Sequence, residues 1–364
     1  MILLVMVALA AAYQVFAMAA CARRRSGKWP VASGQFATSI LKPVRGLDPG
    51  FREAIASHVA LDGEFEVLCG VADLNDPAVA VLREFPAVRV IECPTQTPNG
   101  KVGVLSDLAR HARYPVVVVN DSDIRVEPDY LRRVTAPLTD PEVGVVTCLY
   151  RPVGDSFAAR FEGLGVSTDF APSVLVARFC GMEDFTGGAT LAFRRADLER
   201  IGGFEVLGEY LADDYQLGRR IRGLGLKCVL SDVIVETHMG GGWRDVWQHQ
   251  VRWARTIRVS NFWGYLGLSV TFATVWAAVA VAAGEWRLAI ALLAARMPMA
   301  TVAGWFVLRS RDVLRLWALI PLRDLFGAAV WLAGLFGNTV VWRGLRLALR
   351  ADGRILVQKE SRLL

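Results

Sequence analysis

Val116-Val117-Val118-Val119-Asn120-Asp121-Ser122-Asp123 is the stretch on which the fold turns. Four consecutive β-branched residues favour a strand. A strand apolar on successive positions, rather than alternate ones, is buried on both faces. The polar tetrapeptide then falls at the strand's C-terminal end, where open α/β sheets bind ligands. Working outward, further strand-like runs occupy residues 36–41, 65–71, 88–92, 143–149 and 227–230. Helical patterns fall at 51–60, 78–84, 105–111 and 128–136. Such alternation predicts a parallel or mostly parallel sheet covered by helices, within a domain over residues 30–240.

Beyond that domain the chain changes character. Of 364 residues, 54% are hydrophobic and 21% charged, too apolar a balance for an ordinary soluble protein. Residues 1–22 form an uninterrupted apolar run, long enough to span a bilayer and without a basic stretch before it; this reads as an uncleaved anchor with its N-terminus outside. Residues 243–258 carry Trp243, Val246, Trp247, Val251, Ala254 and Ile257 at helical spacing, opposed by Arg244, Asp245, His249, Arg252 and Arg255, the pattern of an amphipathic helix in the membrane interface or on a domain surface. A C-terminal membrane region follows over 262–342, in apolar runs at 262–284, 288–308 and 316–342. Arg296 lies inside the second of these, where a charge must face protein or a polar cavity. Arg323-Asp324 interrupts the third, which implies a split or re-entrant segment before a basic tail at 343–364.

The net charge of +6 does not argue for nucleic acid. The basic residues flank the apolar runs (Arg23, Arg24, Arg25 and Lys28; Arg255 and Arg258), so anionic lipid headgroups are the expected partner and the intervening domain is expected on the cytoplasmic side. The cysteines (Cys21, Cys69, Cys93, Cys148, Cys180, Cys228) make no C-x-x-C pair, which suits reduced thiols and argues against structural zinc.

Several groups in the domain can carry chemistry. Asp121 and Asp123 present two carboxylates that can hold Mg2+ or Mn2+ and thereby neutralise a diphosphate, or can simply form an acidic turn. Asp213-Asp214 head a helical pattern; acids there complement the helix dipole, or one of them serves as a general base. Arg252 offers a planar fork suited to phosphate, and Trp253 suits an acceptor channel or a headgroup anchor. Asp73, just past a strand, can accept hydrogen bonds from a base or ribose. Lys101 can meet a phosphate or rest on the surface.

Taken together, Leu41-Lys42-Pro43 with Gly46 and Asp48-Pro49, Asp73 with Asp76-Pro77, Lys101-Val102, Asp121 to Val126, Asp213-Asp214-Tyr215 and His249 to Arg255 resemble the ceramide glucosyltransferase family, a membrane branch of the family-two-like glycosyltransferases. The resemblance runs over residues 39–354. It implies a GT-A nucleotide-diphospho-sugar transferase fold with N- and C-terminal transmembrane helices, an inverting mechanism, a UDP-sugar donor (glucose or N-acetylglucosamine) and a membrane-lipid acceptor. By position, Asp214 is the catalytic base. Asp73, Lys101, Asp121, Arg252 and Trp253 bind the nucleotide-sugar, and Asp121 and Asp123 the metal. Asp213, His249 and Trp253 serve the acceptor. His249 stands where the family usually has Gln or Arg, and Gly103 and Val104 replace asparagines that often follow the lysine. Residues 249–258 are also similar to bacterial relatives that glycosylate hopanoids such as bacteriohopanetetrol. A processive polysaccharide synthase and a non-catalytic nucleotide-binding membrane protein are the competing readings.

Overall fold

The computed structural model describes residues 2–24, 36–183 and 185–357. Arg25 and Lys28 of the basic stretch, and the end of the expected tail, lie outside them. The chain forms two compact units, Arg25–Tyr150 with Glu183–His238, and Met1–Arg24 with Arg151–Met182 and Met239–Leu364. The expected domain 30–240 therefore yields an internal segment, Arg151–Met182, to the second unit.

The first unit is built on an eight-stranded sheet. Its strands are β1 (Thr38–Pro43), β2 (Phe65–Val71), β3 (Val88–Glu92), β4 (Val116–Val119), β5 (Ile124–Arg125), β6 (Val143–Gly154), β7 (Leu191–Arg194) and β8 (Lys227–Met239), in the order β3-β2-β1-β4-β7-β6-β8-β5. The valine run behaves as its composition requires. Val116 and Val118 enter one core with Ile40, Val67, Phe51, Ile55 and Leu131. Val117 and Val119 enter the opposite core with Leu41, Leu68, Leu105, Leu108 and Leu217. Alternate side chains thus fill both faces of one strand.

Strands β3, β2, β1 and β4 are parallel. Beyond β4 the sheet turns antiparallel, through β4–β7, β7–β6 and β5–β8. The expectation of a mostly parallel sheet holds for one half only. The reversal comes from β7, a four-residue strand that no sequence signal marked. The register pairs Leu41 with both Leu68 and Val119, so the loops after β1, β2 and β4 leave the same sheet edge.

The second unit is mainly helical. Three helices are long and apolar enough to cross a membrane, Leu3–Arg23, Trp286–Val307 and Trp317–Leu335; the pair Phe262–Thr271 and Ala273–Ala282, bent by 58°, counts as a fourth if it is one span. Small residues set the contacts of the first helix, where Val7 and Ala10 pack with Ala273, Ala277, Ala280, Ala289 and Leu292. Without water to drive burial, close backbone approach of this kind is what holds apolar helices together.

Two expectations need correction here. The helix Ile320–Leu335 runs unbroken through Arg323-Asp324. It can do so because Asp324 is fully buried against Arg296 and Arg323 lies over the rings of Phe161 and Phe326. Neither charge has to be expelled by breaking the helix. Nor is the C-terminus a simple tail: β9 (Thr339–Trp342), β10 (Leu345–Leu349) and β11 (Ile355–Val357) form an antiparallel sheet. Its first turn uses Arg343 and Gly344 with φ of 49° and 81°, the left-handed pair that a two-residue hairpin requires. The helix Trp243–Ser260 divides its apolar residues. Val251 and Ala254 pack with Tyr265 and Val330, while Trp243 and Trp247 stay exposed.

Candidate active site

The loop after β4 is held from beneath by a buried polar network. Asn120 is fully buried and donates to the Ala189 carbonyl (2.9 Å) and the Thr190 hydroxyl (3.1 Å). Lys42, at the end of β1, is also fully buried and donates from Nζ to the Asp121 carbonyl at 2.8 Å. Burial pushes Lys42 down to about 8. His58 donates from Nδ1 to the Ala54 carbonyl at 2.8 Å, and burial with the nearby Lys42 charge lowers it to about 3, so it stays neutral. A satisfied network in a low-dielectric interior is rigid. Its consequence is that the Asp121 side chain projects from a fixed backbone.

Above this floor the acids gather round one cation. Lys101 Nζ lies 2.6 Å from Asp121 Oδ1 and 3.7 Å from Asp213 Oδ2. Burial alone would lower Lys101, but the carboxylates outweigh it and hold the ammonium above its ordinary value. Asn99, directly before the helix Gly100–His111, donates to the Tyr210 carbonyl (2.8 Å) and reaches Asp213 Oδ1 (3.4 Å). It ties the lysine helix to the acidic one. Asp123 accepts from the Thr237 hydroxyl of β8, and burial together with Asp121 raises it above the usual carboxylate range.

Asp214 is the second residue of the helix Asp213–Gly223. Its Oδ1 accepts the Tyr215 amide at 2.7 Å. Its Oδ2 faces Gly188, where an added Cβ would stand 3.2 Å from Asp214 Oδ2 and 3.8 Å from Asp121 Oδ2. The missing side chain thus lets the backbone lie against two carboxylates without crowding them. Burial first, then the neighbouring Asp213 charge, pushes Asp214 up to about 7; Lys101 opposes the rise. Thr147 fixes the glycine turn by donating to the Gly187 carbonyl (2.9 Å) and accepting the Gly187 amide (3.1 Å). Thr186 donates to the Asp214 carbonyl at 2.6 Å.

The structure therefore brings together Lys101, Asp121, Asp123, Asp213 and Asp214. Asp73 is at the same sheet edge, two strands from Asp121, or about 10 Å at ordinary strand spacing. It is exposed, and its Oδ1 accepts both the backbone and side-chain N–H of Asn75 (2.8 and 2.9 Å). His249, Arg252 and Trp253 belong to the second unit. There the His249 and Trp253 rings meet at 4.5 Å, Trp253 contacts Phe170 at 5.8 Å, and Arg252 lies 6.0 Å over Trp342. Asn99, Thr147, Thr186, Gly187 and Gly188 were missed by sequence reasoning. The Thr-Gly-Gly-Ala-Thr run at 186–190 was the available signal, since paired glycines before an apolar strand mark a close approach.

Among the described residues no group of three or more His, Cys, Asp or Glu side chains converges as a metal cage. Asp121 and Asp123 fit a divalent ion of a different sort. Their hard oxygens suit Mg2+ or Mn2+, which keep waters and draw further ligands from substrate phosphates.

The profile of glycosyl transferase family 21 matches residues 2–355. The chain belongs to that family. Relatives with curated names include ceramide glucosyltransferase 1 of Caenorhabditis elegans, 29% identical over 203 residues, which is 53% of this chain and 43% of that one. Ceramide glucosyltransferase 3 of the same organism is 28% identical over 203 residues, 53% and 44% of the two chains. The match thus spans less than half the length of these relatives. Among solved structures, the mannosyltransferase PcManGT from Pyrobaculum calidifontis, in complex with GDP-Man and Mn2+, aligns with a TM-score of 0.56 at 20% identity, over 91% of this chain and 99% of that one. At that identity it establishes that this family 21 chain has a GT-A-type fold.

Proposed function

We propose that the protein transfers a sugar from a UDP-sugar to the hydroxyl of a membrane lipid, with inversion, and that Asp214 is the general base. The observation carrying this reading is the Asp214 carboxyl, raised to about 7 and facing Gly188 beside Asp121 at the ligand-binding edge of the sheet. A base is most effective when its affinity for protons lies near the working pH. The family relatives named for ceramide glucosylation support a lipid alcohol as acceptor. The apolar helices support a membrane location, and the arginines after the first span support a cytoplasmic site.

On this reading the acceptor hydroxyl donates its proton to Asp214 Oδ2 as its oxygen attacks the anomeric carbon. Asp214 Oδ1 stays tied to the Tyr215 amide, which fixes the carboxylate plane. Lys101 supplies positive charge at the diphosphate end of the donor, and Asp73 accepts from the nucleoside. A divalent ion held by Asp121 and Asp123 would neutralise the leaving diphosphate. Arg252 adds charge for the donor, and His249, Trp253 and Asp213 serve the acceptor.

Purified protein incubated with UDP-glucose or UDP-N-acetylglucosamine and lipid extract, followed by mass spectrometry, tests the proposal. Glycolipid is expected from the wild type. Asp214→Asn should lower turnover about a hundred- to ten-thousand-fold while UDP binding persists. Undiminished turnover in that variant would remove the base assignment.

A further inference from the structure

Glu162 stands outside every role assigned above, yet its carboxylate is placed with unusual economy. It lies in the helix Phe157–Gly165 and is 2% exposed. Its Oε1 accepts His249 Nδ1 at 2.6 Å and Gln250 Nε2 at 2.8 Å. The Gln250 side-chain oxygen in turn accepts Arg323 Nη2 at 2.9 Å. Arg323 is 3% exposed, and a Cβ at Gly165 would collide with its guanidinium. A buried carboxylate and a buried guanidinium are thus joined through one amide, with the His249 ring hydrogen-bonded to the carboxylate.

A buried carboxylate is costly unless hydrogen-bonded, and here its donors are neighbouring residues of one short motif. The bond selects the His249 tautomer with hydrogen on Nδ1 and fixes the ring plane. That ring is the edge partner of Trp253 at 4.5 Å. We infer that Glu162 is a positioning residue for the acceptor site, holding His249 and through it Trp253, with Arg323 locking the other end through Gln250. The inference rests on the reading that His249 and Trp253 serve the acceptor. The requirement at position 249 is a side-chain N–H aimed at Glu162.

The test is a set of kinetic constants for both substrates in Glu162→Ala, Glu162→Gln, His249→Ala and the double alanine variant. Glu162→Ala and His249→Ala should each lower acceptor kcat/KM about tenfold, with donor KM within about twofold of wild type, and the double variant should be no worse than the poorer single. Glu162→Gln keeps an oxygen for the His249 N–H and should recover most of the loss. Wild-type acceptor constants in Glu162→Ala, losses that multiply in the double variant, or donor and acceptor constants falling together would each overturn the inference. A wild type that glycosylates no lipid would instead end the proposed function. In that case 15N-histidine spectra still decide the positioning, because the chain has four histidines and His249→Ala assigns the signal. Glu162→Ala must move the His249 Nδ1 resonance; an unmoved resonance contradicts the contact.

Discussion

Two clusters of buried charge, one in each unit, use the same ingredients to opposite effect. In the helical unit Arg296 is fully buried and saturated. Its Nε and Nη2 donate to Asp324, Nη2 also to Asp169, and Nη1 to the Thr168 carbonyl at 2.9 Å. Asp324 takes the Thr274 hydroxyl as well, at 2.7 Å. Each guanidinium nitrogen of Arg296 has an acceptor, so the cluster is a staple between helices. At the sheet edge one lysine faces Asp121 and Asp213, with Asp214 close enough to feel both. There burial, and after it the Asp213 charge, outweigh the single lysine, and the Asp214 carboxyl keeps its proton to about 7. Paired charges yield structure, whereas a buried carboxyl crowded by a second acid is left free to exchange a proton.

The largest effect should come from breaking the staple. Arg296→Met strands the buried Asp324 carboxylate and unpairs the half-buried Asp169, and should cost about 3–5 kcal/mol, enough to lose folded protein from the membrane fraction. Replacing Arg296 and Asp324 together by apolar residues should restore most of the yield, which size-exclusion of solubilised protein would report. No such rescue is expected at the sheet edge, where the charges are needed for turnover.

The next effect sharpens the other side of the comparison. Asp213 raises Asp214 and Lys101 lowers it. Asp213→Asn should therefore move the midpoint of the kcat/KM profile below about 7, and Lys101→Met should move it above. Activity rises with pH through that midpoint, because the base acts deprotonated. Stability runs the other way. Between the ordinary 3.8 and about 7 the folded state holds a proton that the unfolded chain has released, so this group's contribution falls as pH rises through the window. Asp214→Asn removes that slope, and melting curves at pH 5 and pH 8 would show the wild type losing more than the variant.

The smallest effect concerns shape. Gly188→Ala places a methyl 3.2 Å from Asp214 Oδ2. It should lower kcat several-fold, on the order of 1 kcal/mol, with UDP binding kept. A wild-type kcat would mean that the space beside Gly188 is not where the acceptor reacts.

Legibility in the sequence followed the length of the signal. Val116 to Asp123 announced a doubly buried strand and its acidic loop because composition and position agreed over eight residues. Arg296 was legible as a charge needing protein contact, but Asp324, 28 residues further on, could not be paired with it from spacing alone. Arg323-Asp324 read as a helix break because a linear reading counts the cost of two charges and omits partners from other helices. Strand β7 and the Gly187-Gly188 turn were too short to stand out. Glu162 was hidden for another reason: the helices over 157–179 lie inside what reads as the sheet domain, yet they pack with the membrane unit.

The central claim is that Asp214 carries a proton near neutrality because it is buried and lies beside the Asp213 charge, which Lys101 only partly offsets. Infrared difference titration of wild type against Asp214→Asn measures that proton without any substrate. The account predicts a carboxyl band, absent from the variant, that titrates with a midpoint near 7. A band that disappears near the ordinary 3.8 would contradict it.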